Sequence, residues 1–478
     1  MISIQKERDL SLWNFNAFGS NIAVTDEYGR TLSYRQLLES AARARSVFSG
    51  KSLCLILCRN SLGSIIAYTS TLLNQQVAMP LNAAMSSDKI LELIRLYRPE
   101  YIFAPDEVQI FSDSKPLLHE ADYILYRTPF TSYKPLHPDL AVLLSTSGST
   151  GSPKFVRQSY ANIKSNTEVI TDFLKINSGE RPITVLPMYY TFGLSVINTH
   201  LYAGANILLT DKGLMQKEFW NFLKDKKATS LSGVPYTFEM LDMLRFYRMD
   251  LPHLKTIAQA GGHLDEKLHR KFADYAKEKD KRLFIMYGQC EATARMSYLA
   301  PDETFKTGSI GKPLKGGCFE LKDSAGNTVK APDTTGELFY RGPNVTLGYA
   351  NCREDLSLGD EFKGSLDTGD IAKFDKDGFY YIVGRKERFL KLYGNRVNLN
   401  DIDSMIKKEF PALEFATSGR DDNLVVFVTA NKTEDSTLRD FLAKSTGINR
   451  AAFKIREIRE IPRNESGKIL YGQLNSLF

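Results

Sequence analysis

Short apolar runs recur along the chain, and each is followed by Gly, Ser or Pro and then by a segment with helical periodicity. Runs of this length predict buried strands. The alternation of such strands with helices predicts an α/β fold with parallel sheets wrapped by helices. The predicted strands are Leu53–Cys58, Leu140–Leu144, Thr184–Leu186, Ile207–Thr210, Thr256–Ala258 and Leu283–Met286.

The pattern changes twice toward the C-terminus. From about Lys306, closely spaced Gly-containing turns separate short alternating strands, which predicts a small barrel or hairpin sheet. Beyond Arg385, a helical pattern over Asn400–Phe410, a strand pattern over Leu424–Val428 and a second helical pattern over Thr437–Lys444 predict a small α+β unit. We therefore expect domains at residues 1–384 and 385–478.

Composition narrows the class of protein. The 478 residues are 43% hydrophobic, enough for large cores. The five cysteines are scattered without a C-x-x-C pair, which argues against a disulfide framework or a zinc site and favours a cytoplasmic location. The first nine residues are too charged for a signal peptide, and no apolar run approaches the roughly 20 residues of a membrane span. Secretion and membrane insertion are not expected.

The net charge of +6 is uneven along the chain. From Arg385 to Phe478, 17 Lys and Arg face 13 Asp and Glu, so the last fifth carries +4. This excess is too weak to predict nucleic-acid binding, which clusters Lys and Arg on one face. It suits a phosphate-bearing or acidic partner. No H-E-x-x-H motif supports metal-dependent hydrolysis.

Ligands of parallel α/β sheets bind at the carboxyl ends of the strands, so the loops directly after the apolar runs are candidate sites. These loops are Ser145–Lys154, Gly261–Leu264 and Tyr287–Glu291. The first combines hydroxyls, glycines and Lys154, which can cradle phosphate oxygens through backbone N–H groups, hydroxyls and charge. Its spacing is not that of a Walker loop, and on its own a Ser/Gly-rich loop is more often only a turn.

The loop does not stand alone, because seven further motifs follow the same order as in a known superfamily. They are Leu186–Leu194, Gly261–Leu264, Tyr287–Glu291, Gly336–Leu338 with Arg341-Gly342, Thr368–Asp370, Gly384-Arg385 and Asn464–Lys468. Together with Ser145–Lys154 they resemble the signatures of the adenylate-forming superfamily, which includes acyl-CoA synthetases, peptide-synthetase adenylation domains and luciferases. The resemblance covers about residues 20 to 475.

The resemblance implies a large N-terminal domain of two helix-wrapped sheets plus a small β-barrel, followed by a small mobile α+β domain. It also implies an AMP-forming ligase that uses ATP and Mg²⁺. Such an enzyme joins a small carboxylic acid to AMP and then passes the acyl group to a thiol. A carboxylate is a poor electrophile, and the reaction must stabilise charge that moves on the α-phosphate.

Residue roles follow from the same resemblance. Lys468 is expected to bridge the carboxylate and the α-phosphate, and Glu291 is expected to hold Mg²⁺, which prefers few protein oxygens plus substrate oxygens. Asp370 is expected to bind the ribose and Tyr287 to stack on adenine. The nucleotide-binding positions implied are Ser145, Thr146, Ser147, Gly148, Ser149, Thr150, Gly151, Lys154, Gly261, Gly262, His263, Tyr287, Gly288, Gln289, Cys290, Asp370 and Arg385.

The positions that resemble the acyl pocket indicate the kind of acid. Relatives that activate amino acids place an Asp where this chain has Gly193, and acetate-specific relatives place a Trp where it has Gly288. An α-ammonium without a partner in a buried pocket is costly. We therefore expect a non-amino acid longer than acetate. The expected pocket is formed by Tyr190, Phe192, Gly193, Gly262 and Gly288.

Two positions depart from the family pattern. Cys290 replaces a Thr whose hydroxyl meets the α-phosphate, and a thiol is only a weak donor. Glu387 takes the place of the hinge residue, but it is followed by Arg388 where an acidic residue is common. These departures leave a non-catalytic nucleotide-binding relative as the alternative class, against which the retained Lys468, Glu291 and Asp370 weigh.

The acyl acceptor has two candidates. Gly394 matches the small residue that lines the thiol tunnel, and this tunnel admits both coenzyme A and the phosphopantetheine arm of an acyl carrier protein. The positive charge after Arg385 suits either acceptor. We expect coenzyme A, because standalone relatives mostly use it, with a carrier protein as the second candidate.

Overall fold

The computed structural model describes residues 11–108, 115–131, 134–145, 154–393, 395–429, 435–463 and 469–477. Its helices are α1 (Tyr34–Arg45), α2 (Leu62–Leu73), α3 (Ser87–Tyr97), α4 (Tyr160–Leu174), α5 (Thr191–Tyr202), α6 (Lys217–Asp225), α7 (Pro235–Met243), α8 (Glu266–Glu278), α9 (Leu399–Glu409), α10 (Asp435–Thr446) and α11 (Tyr471–Asn475).

The strands follow the same chain order. They are β1 (Ile22–Asp26), β2 (Thr31–Ser33), β3 (Leu53–Cys58), β4 (Val77–Asn82), β5 (Tyr101–Pro105), β6 (Lys115–Glu120), β7 (Tyr123–Arg127), β8 (Leu140–Ser145), β9 (Phe155–Ser159), β10 (Pro182–Ile183), β11 (Ile207–Leu209), β12 (Ser230–Gly233), β13 (Thr256–Gln259), β14 (Arg282–Tyr287), β15 (Ser297–Leu299), β16 (Ser309–Pro313), β17 (Cys318–Lys322), β18 (Gly336–Arg341), β19 (Tyr349–Ala350), β20 (Ser365–Phe374), β21 (Tyr380–Arg385), β22 (Phe389–Leu392), β23 (Asn395–Asn398), β24 (Phe415–Arg420), β25 (Asn423–Thr429) and β26 (Phe453–Ile458).

The described residues divide into two compact units. Unit 1 comprises those of Met1–Thr146, Pro153–Phe319 and Tyr340–Leu366, and unit 2 comprises those of Glu320–Phe339 and Asp367–Phe478. The domain boundary that the sequence predicts near Arg385 and the hinge at Glu387 stay predictions.

Unit 1 contains two large sheets with parallel centres. In one sheet β8, β4, β3 and β5 lie side by side and parallel, and antiparallel β9 and β19 extend it beyond β8. In the other, β11, β10, β12, β13 and β14 are parallel neighbours, and β15 and β16 continue antiparallel. The mixed α/β class with helix-wrapped parallel sheets is therefore confirmed.

The strand β3 shows why its sequence is apolar without interruption. Cys54, Ile56 and Cys58 pack in the core cluster formed with α1, α2, α4 and α5, whereas Leu53, Leu55 and Leu57 pack in a second cluster with α3. A strand buried on both faces needs apolar residues at every position. The run Leu53–Cys58 was predicted as a strand for this composition, and the prediction is confirmed.

One strand prediction was wrong. The structure has a strand at Pro182–Ile183 and none at Thr184–Leu186, although the Thr184 N–H still donates to the Leu208 carbonyl at 2.9 Å. At the next ladder position a side chain replaces the backbone acceptor, because the Thr210 N–H donates to Thr184 Oγ1 at 3.0 Å. The chain therefore leaves the sheet before α5, which begins at Thr191.

Unit 2 has a sheet with the strand order β17-β18-β20-β21 and a separate three-stranded sheet of β24, β25 and β26. The closely spaced turns after Lys306 separate these strands, as the sequence predicted. The helices α9 and α10 pack with β24, β25 and β26 around Ile402, Ile406, Val426, Leu438 and Leu442. The α+β character predicted for the C-terminal residues is thus present.

Candidate active site

Glu291 and Lys154, two predicted site residues, are joined through Tyr349. The Tyr349 hydroxyl donates to Glu291 Oε1 at 3.0 Å, and the Lys154 ammonium lies 3.3 Å above the centre of the Tyr349 ring. Lys154 directly precedes β9, and β19 pairs antiparallel to β9 with Tyr349 opposite Val156. This pairing positions Tyr349 beside Lys154. We call these three residues the Lys154–Tyr349–Glu291 cluster.

Burial and the negative charge of Glu291 act together on Tyr349. Burial is the larger cause that raises the pKa of the Tyr349 hydroxyl, and the neighbouring Glu291 carboxylate raises it further. The phenol is therefore a proton donor to Glu291 at neutral pH. The backbone carbonyl of Glu291 accepts from the Thr346 N–H at 3.0 Å, so both ends of this residue are held. Within the described residues, Glu291 Oε2 makes no hydrogen bond.

The motif Tyr287–Glu291 lies at the carboxyl end of β14, where a parallel sheet is expected to bind ligands. Gln289 Nε2 donates to the Tyr287 hydroxyl at 3.4 Å, and the Tyr287 ring lies 6.2 Å from the Phe319 ring. Gln289 and Tyr287 are partly buried. The predicted adenine-stacking residue thus lies at the end of the strand, within the aromatic environment of Phe319.

Cys290 has a hydroxyl beside it although it lacks one itself. Thr191 Oγ1 donates to Cys290 Sγ at 2.9 Å, and Gln158 Nε2 donates to the Cys290 carbonyl at 3.2 Å. Burial raises the pKa of the thiol, so it stays protonated at neutral pH. The sequence predicted the loss of a hydroxyl at this position but not that Thr191 supplies one in contact with it.

The predicted pocket positions Gly193 and Gly288 are both sites of close backbone approach. A Cβ at Gly193 would lie 2.1 Å from the Pro187 carbonyl oxygen, and one at Gly288 would lie 1.8 Å from the Ala294 carbonyl oxygen. Distances below 3.0 Å require the backbone to move. Neither an Asp at 193 nor a Trp at 288 fits this backbone. The exclusion of amino acids and acetate as substrates stays a prediction.

Of the remaining pocket positions, Phe192 belongs to a small apolar cluster. Tyr190 is the N-cap of α5, and Phe192 is 9% exposed. Gly262 lies close to Pro235, with 3.0 Å between a built Cβ and Pro235 Cγ. The buried members of the cluster are Leu186, Phe192, Ala258, Ala260, Phe284 and Met286.

The loop after β13 carries the predicted Gly-Gly turn. Gly261 has φ of +84°, in the left-handed region that favours glycine. Gln259 Nε2 donates to the Gly262 carbonyl at 2.9 Å. Gly261, Gly262 and His263 are all exposed, so their backbone groups are accessible to a ligand.

In unit 2, the structure pairs Asp370 with Arg385. They are opposite each other in the antiparallel β20 and β21, and Arg385 Nε donates to Asp370 Oδ1 at 2.9 Å. Asp370 is 2% exposed. Glu387 lies in the short 3₁₀ turn Lys386–Arg388 that follows β21.

Arg388, the other departure from the family pattern, lies inside unit 2. Its Nη2 donates to Asp403 Oδ2 at 2.5 Å and to Thr417 Oγ1 at 3.1 Å, and Nη1 donates to the Thr417 carbonyl at 3.2 Å. The guanidinium also lies 4.4 Å from the centre of the Tyr471 ring. The positive charge of Arg388 is therefore held by partners within unit 2.

Several predicted positions lie outside the described residues, and their roles stay predictions. They are Thr146, Ser147, Gly148, Ser149, Thr150, Gly151, Gly394 and Lys468. Ser145, the first residue of that loop, ends β8 opposite Phe155.

The Lys154–Tyr349–Glu291 cluster offers the kind of ligand atom that a magnesium ion needs. Glu291 offers a carboxylate oxygen without a hydrogen bond in the described part of the chain, and hard cations prefer such oxygens. Among the described residues, no three His, Cys, Asp or Glu side chains converge as a metal site. Any Mg²⁺ here would thus take most of its ligands from substrate and water, as Mg²⁺ commonly does.

No helix in the described ranges has the length and apolar character to cross a membrane.

A carboxylate in the loop after the parallel strand β14, with a phenol and an ammonium beside it, is suited to a phosphate-bearing ligand. The family model described as AMP-binding enzyme matches residues 13–350. The chain therefore belongs to the AMP-binding enzyme family.

Similarity to curated relatives is moderate. The chain is 28% identical over 347 residues to a peroxisomal OPC-8:0-CoA ligase 1 of Arabidopsis thaliana, covering 70% of this chain and 63% of the relative. It is 30% identical over 356 residues to an oxalate–CoA ligase of the same plant, covering 70% of this chain and 66% of the relative. The matches thus span slightly less than two thirds of these relatives' lengths.

The solved structure of o-succinylbenzoate CoA synthetase from Bacillus subtilis, in complex with the acyl-adenylate intermediate OSB-AMP, shares the fold. Its TM-score is 0.76 at 22% identity, covering 95% of each chain. The same enzyme in complex with ATP and a magnesium ion gives a TM-score of 0.75 at 22% identity, covering 95% of this chain and 97% of that one.

Proposed function

We propose that this protein is an ATP-dependent, AMP-forming ligase that converts a carboxylic acid to its coenzyme A thioester. In the first step a carboxylate oxygen attacks the α-phosphorus of ATP, and pyrophosphate leaves. In the second step the thiol sulfur attacks the acyl carbon, its proton goes to solvent, and AMP leaves. Membership of the AMP-binding enzyme family supports this proposal, as do the names of the relatives, which include several CoA ligases.

The single observation that carries the proposal is the Lys154–Tyr349–Glu291 cluster at the sheet edge. Lys154 would neutralise phosphate charge, and the Tyr349 hydroxyl would hold one Glu291 oxygen so that the other faces the ligand. Mg²⁺ bound at Glu291 would stabilise the charge that develops on the phosphates. A protein that only binds a nucleotide would have no need of Lys468, the lysine proposed to contact the carboxylate and the α-phosphate.

In unit 2, Asp370 is proposed to bind the ribose hydroxyls. Arg385 would hold the Asp370 carboxylate in place through the 2.9 Å hydrogen bond. Lys468 is assigned to the carboxylate and α-phosphate. The substrate is proposed to be a non-amino acid longer than acetate. The backbone contacts at Gly193 and Gly288 support this, because they exclude the side chains that would bind an ammonium or shorten the pocket.

Coenzyme A is the proposed acceptor and the cytoplasm the proposed location. The curated relatives named as CoA ligases support coenzyme A over a carrier protein. The free cysteines, of which Cys54 and Cys58 are buried in one strand, suit a reducing compartment.

The test is release of pyrophosphate from ATP with a panel of aliphatic, aryl, hydroxy and amino acids, followed by thioester formation with coenzyme A. Glu291→Gln should lower pyrophosphate release by about 100-fold or more, because a charge-stabilising group is lost from the site. The control is Glu266→Gln, which changes an exposed carboxylate of α8. Release that needs no acid, or an unaffected Glu291→Gln enzyme, would contradict the proposal. Turnover with a pantetheinylated carrier and none with coenzyme A would move the acceptor assignment to the carrier.

A further inference from the structure

Arg295 carries a buried positive charge with no acidic partner in the described part of the chain. Its side chain is 3% exposed, Nη1 donates to the Ala294 carbonyl at 3.2 Å, and Nε lies 3.4 Å from Met286 Sδ. Burial lowers the pKa of the guanidinium to about 9, so the group is still charged at neutral pH. A buried charge without an opposite charge beside it is unfavourable, and proteins keep one mainly where function requires it.

The backbone around Arg295 is held in an unusual conformation. Thr293 has φ of +52° and Ala294 has φ of +100°, both in the region that residues with a Cβ rarely adopt. Asn166 then fixes the next residue, because its Nδ2 donates to the Arg295 carbonyl at 2.9 Å and its Oδ1 accepts from the Arg295 N–H at 3.3 Å. Such strain clusters at ligand sites, where a side chain must be aimed.

The guanidinium contacts one of the residues predicted to form the acyl pocket. It lies 3.9 Å from the centre of the Phe192 ring, and the carbonyl of Ala294 packs onto Gly288. Phe192 and Gly288 are two of the five predicted pocket positions. Phe192 and Met286, which Arg295 contacts, are both members of the apolar cluster described above. Arg295 thus brings a cation next to apolar residues of the predicted pocket.

We propose that Arg295 binds a second anionic group at the far end of the acid, so that the substrate is a dicarboxylic acid. This inference rests on the proposed function. One carboxylate is adenylated, and the other pairs with the guanidinium, whose planar fork matches a carboxylate with two parallel hydrogen bonds. A fatty acid of similar length would bring a methyl group to the same place and leave the cation unpaired. Arg295 is therefore the residue that selects the substrate class.

The test compares each linear dicarboxylate from malonate to suberate with its own mono-amide, which has the same length and lacks the distal charge. For the wild-type enzyme, kcat/KM for pyrophosphate release should be at least about 100-fold higher for the best diacid than for its mono-amide, because one partner of a buried charge pair is missing. Arg295→Met should bring this ratio near unity. Arg295→Lys should restore part of it.

A second readout needs no turnover. The diacid should raise the Tm of the wild-type protein and leave that of Arg295→Met unchanged. Without ligand, Arg295→Met should be at least as stable as wild type, since an uncompensated buried charge has been removed. A purely structural role predicts the opposite, namely a less stable variant with the same diacid preference.

The possible results distinguish failure of the dicarboxylate inference from failure of the proposed ligase function. If wild type releases pyrophosphate equally well with diacids and mono-amides, or better with alkanoic acids, the inference is wrong and the ligase proposal stands. If no acid of either kind supports pyrophosphate release, the proposed function itself fails and the inference falls with it. The wild-type comparison decides this even where a variant does not fold.

Discussion

Tyr349 contacts two predicted site residues, Glu291 through its hydroxyl and Lys154 through its ring. The hydroxyl can be removed without loss of ring packing. Tyr349→Phe should keep the ring beneath Lys154 and remove the bond to Glu291. Hydrogen bonds to charged groups contribute about 1.5–3 kcal/mol, so we expect kcat/KM to fall roughly 10- to 100-fold. We also expect a higher Mg²⁺ concentration at half-maximal rate. A Mg²⁺ titration of pyrophosphate release measures both.

Tyr247 offers a matched control for this variant. Its hydroxyl donates to the Asp242 carboxylate at 2.8 Å, and the Lys271 ammonium lies 4.5 Å from its ring centre. Tyr247→Phe therefore removes a tyrosine–carboxylate bond from the same kind of triad, in the α7–α8 region. An equal change of Mg²⁺ dependence in both variants would show that Tyr349 has no special relation to the metal.

Tyr349 and Arg295 could not be predicted from the sequence, because their roles depend on strand pairing and on burial. Glu291 and Lys154 could be predicted because each lies in a motif directly after a strand. Tyr349 lies in the short strand β19, 58 positions beyond Glu291, and approaches it only because β19 pairs with β9. Arg295 could be noticed as a charge in an apolar stretch, but periodicity gives neither its burial nor its lack of a partner.

Within the helix α5, His200 is buried in neutral form. Its Nδ1–H donates to the Val196 carbonyl at 2.8 Å, and burial lowers its pKa from 6.5 to about 4. The unfolded chain therefore binds one more proton than the native one between these values, so stability falls as pH falls through this window. The full effect is about 3 kcal/mol.

Urea unfolding between pH 7 and pH 4 measures this effect. His200→Gln should flatten the acid side of the stability profile, whatever its effect at neutral pH. The exposed His253, changed to Gln, is the control. A slope unchanged by His200→Gln would mean that His200 does not cause the acid sensitivity.

Arg388 connects the 3₁₀ turn after β21 to α9 and β24. Replacing it with Leu should lower the free energy of unfolding of the C-terminal elements by about 2–4 kcal/mol, because Asp403 loses its partner. The value is below that of a fully buried pair, since Asp403 remains 29% exposed. Limited proteolysis and urea unfolding measure the loss.

The double variant Arg388→Leu with Asp403→Leu tests the cause. If the unpaired carboxylate is responsible, the second change should recover most of the lost stability, and the two changes should be strongly non-additive. Additive losses would mean that Arg388 acts mainly through Thr417 and Tyr471.

At the scale of the whole molecule, the proposed two-step reaction predicts a hinge at Glu387. Proline fixes φ near −65°, which suits the 3₁₀ turn in which Glu387 lies and resists any other conformation. Glu387→Pro should therefore slow one half-reaction at least about tenfold and spare the other. Pyrophosphate release and thioester formation from preformed acyl-AMP are measured separately. Normal rates in both would place the hinge elsewhere.

The element order was largely readable from the sequence, because buried parallel strands are apolar at every position. β3 and β8 begin where the apolar runs begin. The order of strands within each sheet was not readable, since pairing such as β4 with β8 joins positions far apart in the chain. The extent of β10 was also missed, because the Thr184 side chain accepts the next ladder hydrogen bond, which the apolar pattern does not indicate.

The close backbone contacts at Gly193 and Gly288 limit which substitutions this protein can accept during evolution. Because Pro187 and Ala294 already occupy the space beyond Gly193 and Gly288, no substitution there is tolerated without backbone rearrangement. New substrate preferences would therefore have to arise at neighbouring positions that carry side chains, above all Phe192 and Arg295. In a saturation library selected for altered acid use, accepted changes should concentrate at those two positions, while 193 and 288 remain glycine.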